Sequence, residues 1–173
     1  MYSYPYRYYQ WPITMPSNWG YYWDPRYYNW SYNYPGPPYR DIALQDYGTQ
    51  PFVVNLDEAT EQNNNYRTAL WTGHYMQLAL MSINVGEDIG LEVHPTTDQF
   101  LRVEEGQGLV QMGDSKEHLD YQAMAYEDYG IMIPAGKWHN VINTGNKPLK
   151  LYSIYAPPQH PFGTVQQTRP AGD

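Results

Sequence analysis

The stretch GEDIGLEVHPTTDQFLRVEEGQG, residues 86–108, decides how this chain reads. Glu92 and His94 stand two apart, so a β-strand carries both on one face. Residues 95–98, PTTD, read as a turn. Beyond it Gln99, Leu101 and Val103 share one face of a second strand, while Phe100, Arg102 and Glu104 share the other. The run EEGQG turns the chain again. Read as a hairpin, the two strands bring Gln99 to within about 5 Å of the Glu92 face. Side chains of this length can converge on one ion over that gap, with ligand distances of about 2 Å. The same three residues also read as a polar patch that satisfies itself.

A second stretch, DYGIMIPAGKWHNVIN at 128–143, favours the first of these readings. Pro134 and Gly136 frame a tight turn after an apolar strand, and His139, Val141 and Asn143 share a face of the next. His139 is thereby a third imidazole or carboxylate donor, on a hairpin of its own.

Outward from these two stretches, short apolar runs alternate with Gly, Pro and Asp turns at roughly ten-residue intervals. LEV, QFLRV, GLVQM, GIMIP, HNVINTG and LKLYSIYAP are such runs, rich in β-branched and aromatic residues. This is the pattern of an all-β sandwich or barrel. Upstream, PFVV at 51–54 reads as a short strand. In NLDEATEQNNN, Asn55 is the expected N-cap of one or two helical turns, with Asp57 and Glu58 in the first and three asparagines ending it.

Residues 1–40 are of another kind. They hold 12 of the 20 tyrosines, four of the six tryptophans and seven of the 15 prolines. They carry three arginines against Asp24, whereas residues 41–173 carry 7 bases and 17 acids. Prolines at this density deny the segment regular pairing, and it lacks the leucines and valines of a core. It reads as an extended, disordered, adhesive arm, or alternatively as an aromatic arm folded back on its own domain.

The net charge of −8 and pI near 4.9 argue against nucleic acid or an anionic membrane as partner. No apolar run reaches the 18 residues of a membrane span, and the N-terminus lacks the apolar core of a secretory signal. The absence of cysteine rules out disulfides, thiolate nucleophiles and cysteine-ligated metal sites. No Ser-His-Asp order, phosphate loop or paired-acid glycosidase pattern stands out. His74, within WTGHYMQLALM, reads as structural and His118 as a solvated loop residue. His160, after APPQ, reads as tail, with a position over the barrel mouth as the alternative.

The two quoted stretches together resemble the motif pair of the cupin superfamily. Its first motif runs G, five residues, H-x-H, three or four residues, E, six residues, G. Gly86, Glu92, His94, Gln99 and Gly106 match that spacing, with glutamate and glutamine standing where histidine and glutamate are usual. Its second motif runs G, five residues, P-x-G, two residues, H, three residues, N. Pro134, Gly136, His139 and Asn143 match it, and Asp128 takes the place of the leading glycine. The wording is most similar to small single-domain bacterial cupins described as mannose-6-phosphate-isomerase-like.

The resemblance implies a jelly-roll β-barrel over residues 41–163, with 164–173 as a tail. It implies a divalent metal (Fe, Mn, Ni, Co or Zn) in the barrel mouth, held by Glu92, His94, Gln99 and His139, with Trp138 and Tyr155 shaping the pocket. The exchanged residue types keep one carboxylate in the set, and two histidines with one carboxylate suit such ions. Gln99, as an amide, is either a weak ligand or a donor to bound water. A metal-free pocket is the other outcome of these exchanges. The expected partner is a small oxygen-rich molecule such as a sugar derivative, with an isomerase or dioxygenase both compatible, and a homodimer is expected. The competing expectation is a non-catalytic protein of a spore-coat-like layer, associating through the tyrosine-rich arm. A cytoplasmic location goes with the first and a spore coat with the second.

Overall fold

The protein is described by a computed structural model over residues 41–170. The aromatic arm expected at 1–40 lies outside the described residues. The elements, in chain order, are α1 (Leu56–Gln62), β1 (Arg67–Thr72), β2 (Gln77–Ile83), β3 (Glu92–Val93), β4 (Asp98–Glu105), β5 (Gln107–Gly113), β6 (Tyr121–Tyr126), β7 (Gly130–Ile133), β8 (Trp138–Asn143), β9 (Leu149–Ala156) and β10 (Val165–Gln166). They form two antiparallel sheets, ordered β10-β1-β2-β9-β4-β7 and β3-β8-β5-β6. All-β content and a two-sheet jelly roll are as expected from the sequence.

Strand alternation builds the interior. On the six-stranded sheet, register places Met81 beside Leu151, with Val103 next to Leu151 on β4. On the four-stranded sheet it places Val110 between Val141 and Ala123. Met81, Leu101, Val103, Val110, Val141, Leu149 and Leu151 are buried in one cluster. The outer face of the larger sheet is also covered. Leu70, Leu78 and Leu80 pack against Ala59 of α1, with Phe52, Val54, Tyr152 and Ile154 around them.

Helix α1 starts where expected, with Asp57 and Glu58 in its first turn, although the Asn55 side chain makes no capping bond. The asparagine run that ends it is held from the sheet. The buried Lys150 ammonium bonds the Asn63 carbonyl and the Asn64 side chain.

Several expectations need correction. PFVV is not a strand: residues 51–54 make no ladder, and Val53 is fully exposed while Phe52 stacks on Tyr47 at 3.9 Å. His74 lies in the exposed turn between β1 and β2 rather than in a strand. Residues 164–170 are not a free tail, because β10 pairs with β1 and the Tyr66 amide bonds the Gln167 carbonyl. Most consequential, β3 and β4 do not form a hairpin. They belong to different sheets, and β3 pairs with β8. Polarity alternation is the same whether a turn reverses a strand within one sheet or carries the chain across the barrel, so the sequence could not separate the two.

The turn at 134–137 anchors this crossing. The Gly136 amide donates to the His94 carbonyl at 2.8 Å, and the Ala135 amide donates to the Asp98 carboxylate at 2.8 Å. Gly136 adopts φ +81, which strains any residue bearing Cβ. Asp128, in the place of the second motif's leading glycine, adopts φ 70, and Arg102 binds its carboxylate at 2.6 Å. Aspartate tolerates this region better than most residues. A Cβ at Gly136 would meet nothing within 4 Å. Gly136→Val therefore carries only the conformational cost, about 1–3 kcal/mol. A denaturant midpoint equal to that of the wild type would show that the turn is not built this way.

Candidate metal centre

The barrel interior is stratified. At one end polar side chains face inward from both sheets, and below them the interior is apolar. Gln77, Tyr155 and Gln99 lie in one register row of the six-stranded sheet. Glu92 lies directly opposite His139 on the other sheet. His94 follows β3 in the crossing held by Gly136.

These elements bring Glu92, His94 and His139 together, with ligand-capable atoms all within 4.8 Å of one another. Glu92 Oε1 is 3.3 Å from His94 Nε2 and 3.4 Å from His139 Nε2. All three atoms are buried, yet none has an aligned hydrogen bond. Unpartnered buried polar atoms are costly, and three of them facing one point fit a shared cation. The tautomer of one ring is set. His139 Nδ1 lies 2.9 Å from the Lys137 carbonyl, which can only accept, so Nδ1 carries the proton and Nε2 presents its lone pair inward. The donor set, one carboxylate and two imidazoles, suits divalent Fe, Mn, Co, Ni or Zn.

Gln99 is buried beside this group, reaching it from the opposite sheet rather than across a hairpin. Its amide nitrogen donates to Ser153 Oγ at 3.0 Å, and its Oε1 has no partner. That oxygen is free to ligate an ion or to accept from an ion's water. Tyr155 is fully buried, its ring edge-on to His94 at 5.7 Å and to His160 at 5.0 Å. Its hydroxyl oxygen is approached by Ser153 and Arg67, and its own proton has no aligned acceptor. Burial pushes its pKa up, so it remains a donor at neutral pH. Tyr152, one position out of phase, packs on the outer face against Phe100 instead. Trp138 does not shape this group, because it adjoins His139 and strand alternation turns it to the opposite face of β8.

Sequence reasoning undervalued His160. Gln77, fully buried, clasps its backbone from both sides: the amide nitrogen donates to the His160 carbonyl and Oε1 accepts the His160 amide, both at 2.9 Å. The clasp sets the ring against Tyr155 with its Nε2 buried and unpartnered. Burial, and then the charge of Arg67, hold the His160 pKa down to about 4, so the ring is neutral at pH 7. The signal in the sequence was Gln77 itself, a polar residue on the inward parity of an otherwise apolar strand. Arg67 is a second missed residue. His118 is exposed in its loop, as read.

A sizeable cavity lies elsewhere. About 590 Å³ opens between β6 and β7, lined by Val110, Met112, Ala125 and Ile131, with Lys137 among its other walls. None of the three candidate ligands lines it, but Met112 is the cross-strand neighbour of His139.

A family model described as "Cupin domain" matches residues 79–155. The chain is 65% identical over 130 residues to the uncharacterised protein YrkC of Bacillus subtilis (strain 168), covering 75% of this chain and 70% of that one. It is 43% identical over 122 residues to the uncharacterised protein L612 of Acanthamoeba polyphaga mimivirus, covering 70% and 74%. The crystal structure of BH2720 from Bacillus halodurans is similar with a TM-score of 0.72 at 63% identity, over 73% of this chain and 96% of that one. The fold and the inward-facing donor set are those of a small β-barrel with a candidate metal centre. The chain belongs to the cupin family.

Burial alone would raise the Glu92 pKa, but the close approach of the His139 and His94 rings, at 3.4 and 3.3 Å, outweighs it and holds the carboxyl at about 2, against an ordinary 4.5. A carboxyl depressed on folding stabilises the fold above its unfolded value and loses that contribution as pH falls towards the folded one. In chelator-treated protein, Glu92→Gln should therefore flatten the decline in unfolding free energy between about pH 4.5 and pH 2. Denaturant titrations at several pH values check this, and parallel declines in both proteins would contradict it.

Proposed function

We propose that the protein binds one divalent metal per chain through Glu92, His94 and His139 and uses it to hold a small oxygen-rich molecule in the barrel mouth. The observation that carries this reading is the convergence of Glu92 Oε1, His94 Nε2 and His139 Nε2, all buried and without hydrogen-bond partners. When bound, such an ion supplies a Lewis acid that polarises a carbonyl or hydroxyl oxygen. The chain's own residues do the rest. The Lys137 carbonyl fixes the His139 tautomer. The crossing secured by Gly136 and Asp98 sets His94 against Glu92. Gln99 Oε1 and the Tyr155 hydroxyl offer an acceptor and a donor to whatever occupies the remaining positions. The resemblance to mannose-6-phosphate-isomerase-like cupins makes a sugar derivative a natural candidate.

Elemental analysis of protein purified without a polyhistidine tag tests the reading. Wild type should carry close to one equivalent, and His139→Ala should lose it, because that change removes the donor from β8 and leaves Glu92 facing His94 alone. Gln99→Glu should tighten binding by adding a charge beside the cluster. Equal metal content in wild type and His139→Ala would overturn the proposal.

A further inference from the structure

Arg67 is the charged residue whose placement the metal reading leaves unexplained. It is 3% exposed, and register puts it on the inner face of the six-stranded sheet beside Met81. Its guanidinium donates to Gln166 Oε1 at 2.8 Å and lies 5.1 Å from the centre of the Tyr66 ring. Its Nε is buried without a partner. Among the described residues no carboxylate lies within ion-pairing reach of it. A buried cation whose nearest carboxylate, Glu92, lies beyond ion-pairing reach remains expensive.

The partner's position follows from the surroundings. Between the Arg67 row and the row of Gln77, Tyr155 and Gln99 lie Ala69, Ala79 and Ser153. Their short side chains leave the long arginine a path along the inner face towards the polar end. There its charge acts on Glu92, Tyr155 and His160, which come from three separate segments. Without metal, the Glu92 charge offsets Arg67 at a distance. The Arg67 guanidinium reaches the Tyr155 oxygen, and with a divalent ion on Glu92 the buried group carries a surplus of positive charge, with the Arg67 Nε–H still without a partner.

We propose that the ligand of this site is a small carboxylate, anchored on the side away from the metal by Arg67 with the Tyr155 hydroxyl beside it. The inference rests on the metal reading above and narrows its ligand from an oxygen-rich molecule to an acid. Charge-assisted bonds from a guanidinium and a phenol suit a planar two-oxygen anion. Neutral sugars would leave the guanidinium uncompensated.

Cobalt(II)-loaded protein separates this inference from the reading beneath it. Cobalt stoichiometry tests the metal site. Visible spectra and thermal shifts, recorded with acetate, oxalate, succinate, inorganic phosphate and mannose, test the ligand class. At least one carboxylate should alter the cobalt bands and raise the melting temperature, and mannose should do neither. Arg67→Met should keep one cobalt per chain and weaken that carboxylate at least about tenfold. Arg67→Lys, which keeps the charge but not the fork, should fall between. If Arg67→Met does not fold, a weakening in Arg67→Lys at unchanged cobalt content carries the test. One cobalt bound with no response to any carboxylate overturns the inference and leaves the metal reading intact. A response to phosphate alone, or equal carboxylate affinity in the Arg67 variants, overturns it too. Failure to bind cobalt removes both.

Discussion

The hydrogen bond from the Gly136 amide to the His94 carbonyl, 2.8 Å long, is the contact on which the candidate metal centre depends. It joins the turn before β8 to the crossing between β3 and β4, so the two stretches that supply the ligands hold each other directly. Asp98 doubles the link by accepting the Ala135 amide. The His94 carbonyl, the Glu92–His139 register pair and the Lys137 carbonyl that fixes His139 all lie within this small assembly. It is open at φ +81 to glycine and to little else, which gives the second motif's glycine a physical meaning.

Around that link the barrel sorts its interior by height. Apolar rows of Met81, Leu151, Val103, Val110 and Val141 fill the body, and one polar row at the end gathers the donors. Concentrating unpaired polar atoms in one layer is unfavourable for the empty barrel and favourable for a filled one. The arrangement is one that could hold a metal ion. The C-terminal segment contributes to the same layer. Gln77 fixes His160 against Tyr155, and β10 supplies the Gln166 contact to Arg67.

Much of this was legible in the sequence because parity is local. Glu92 with His94, Gln99 with Leu101 and Val103, and His139 with Val141 and Asn143 are correct as sets of faces, and Tyr155 takes the inward parity of β9. The pairing of strands was not legible, because nothing within residues 92–99 states whether PTTD reverses a strand or crosses between sheets. Gln99 thus belongs beside the cluster, but from the opposite sheet. Trp138 was misplaced for a simpler reason: its neighbour His139 claims the inward parity. Arg67 escaped notice, and His160 reads first as tail, because both enter from segments distant in sequence and match no motif. Their meaning rests on burial, which one chain of letters does not give directly.

X-ray absorption at the edge of the bound metal, on protein purified without a polyhistidine tag, is the most direct test of the central claim. The account predicts a first shell of nitrogen and oxygen at about 2.0–2.2 Å, with the outer-shell scattering of two imidazoles and no sulfur. His139→Ala should remove one imidazole's scattering from any metal that remains. An all-oxygen shell, or a shell unchanged by His139→Ala, would mean that the metal sits elsewhere and that the polar layer serves another end.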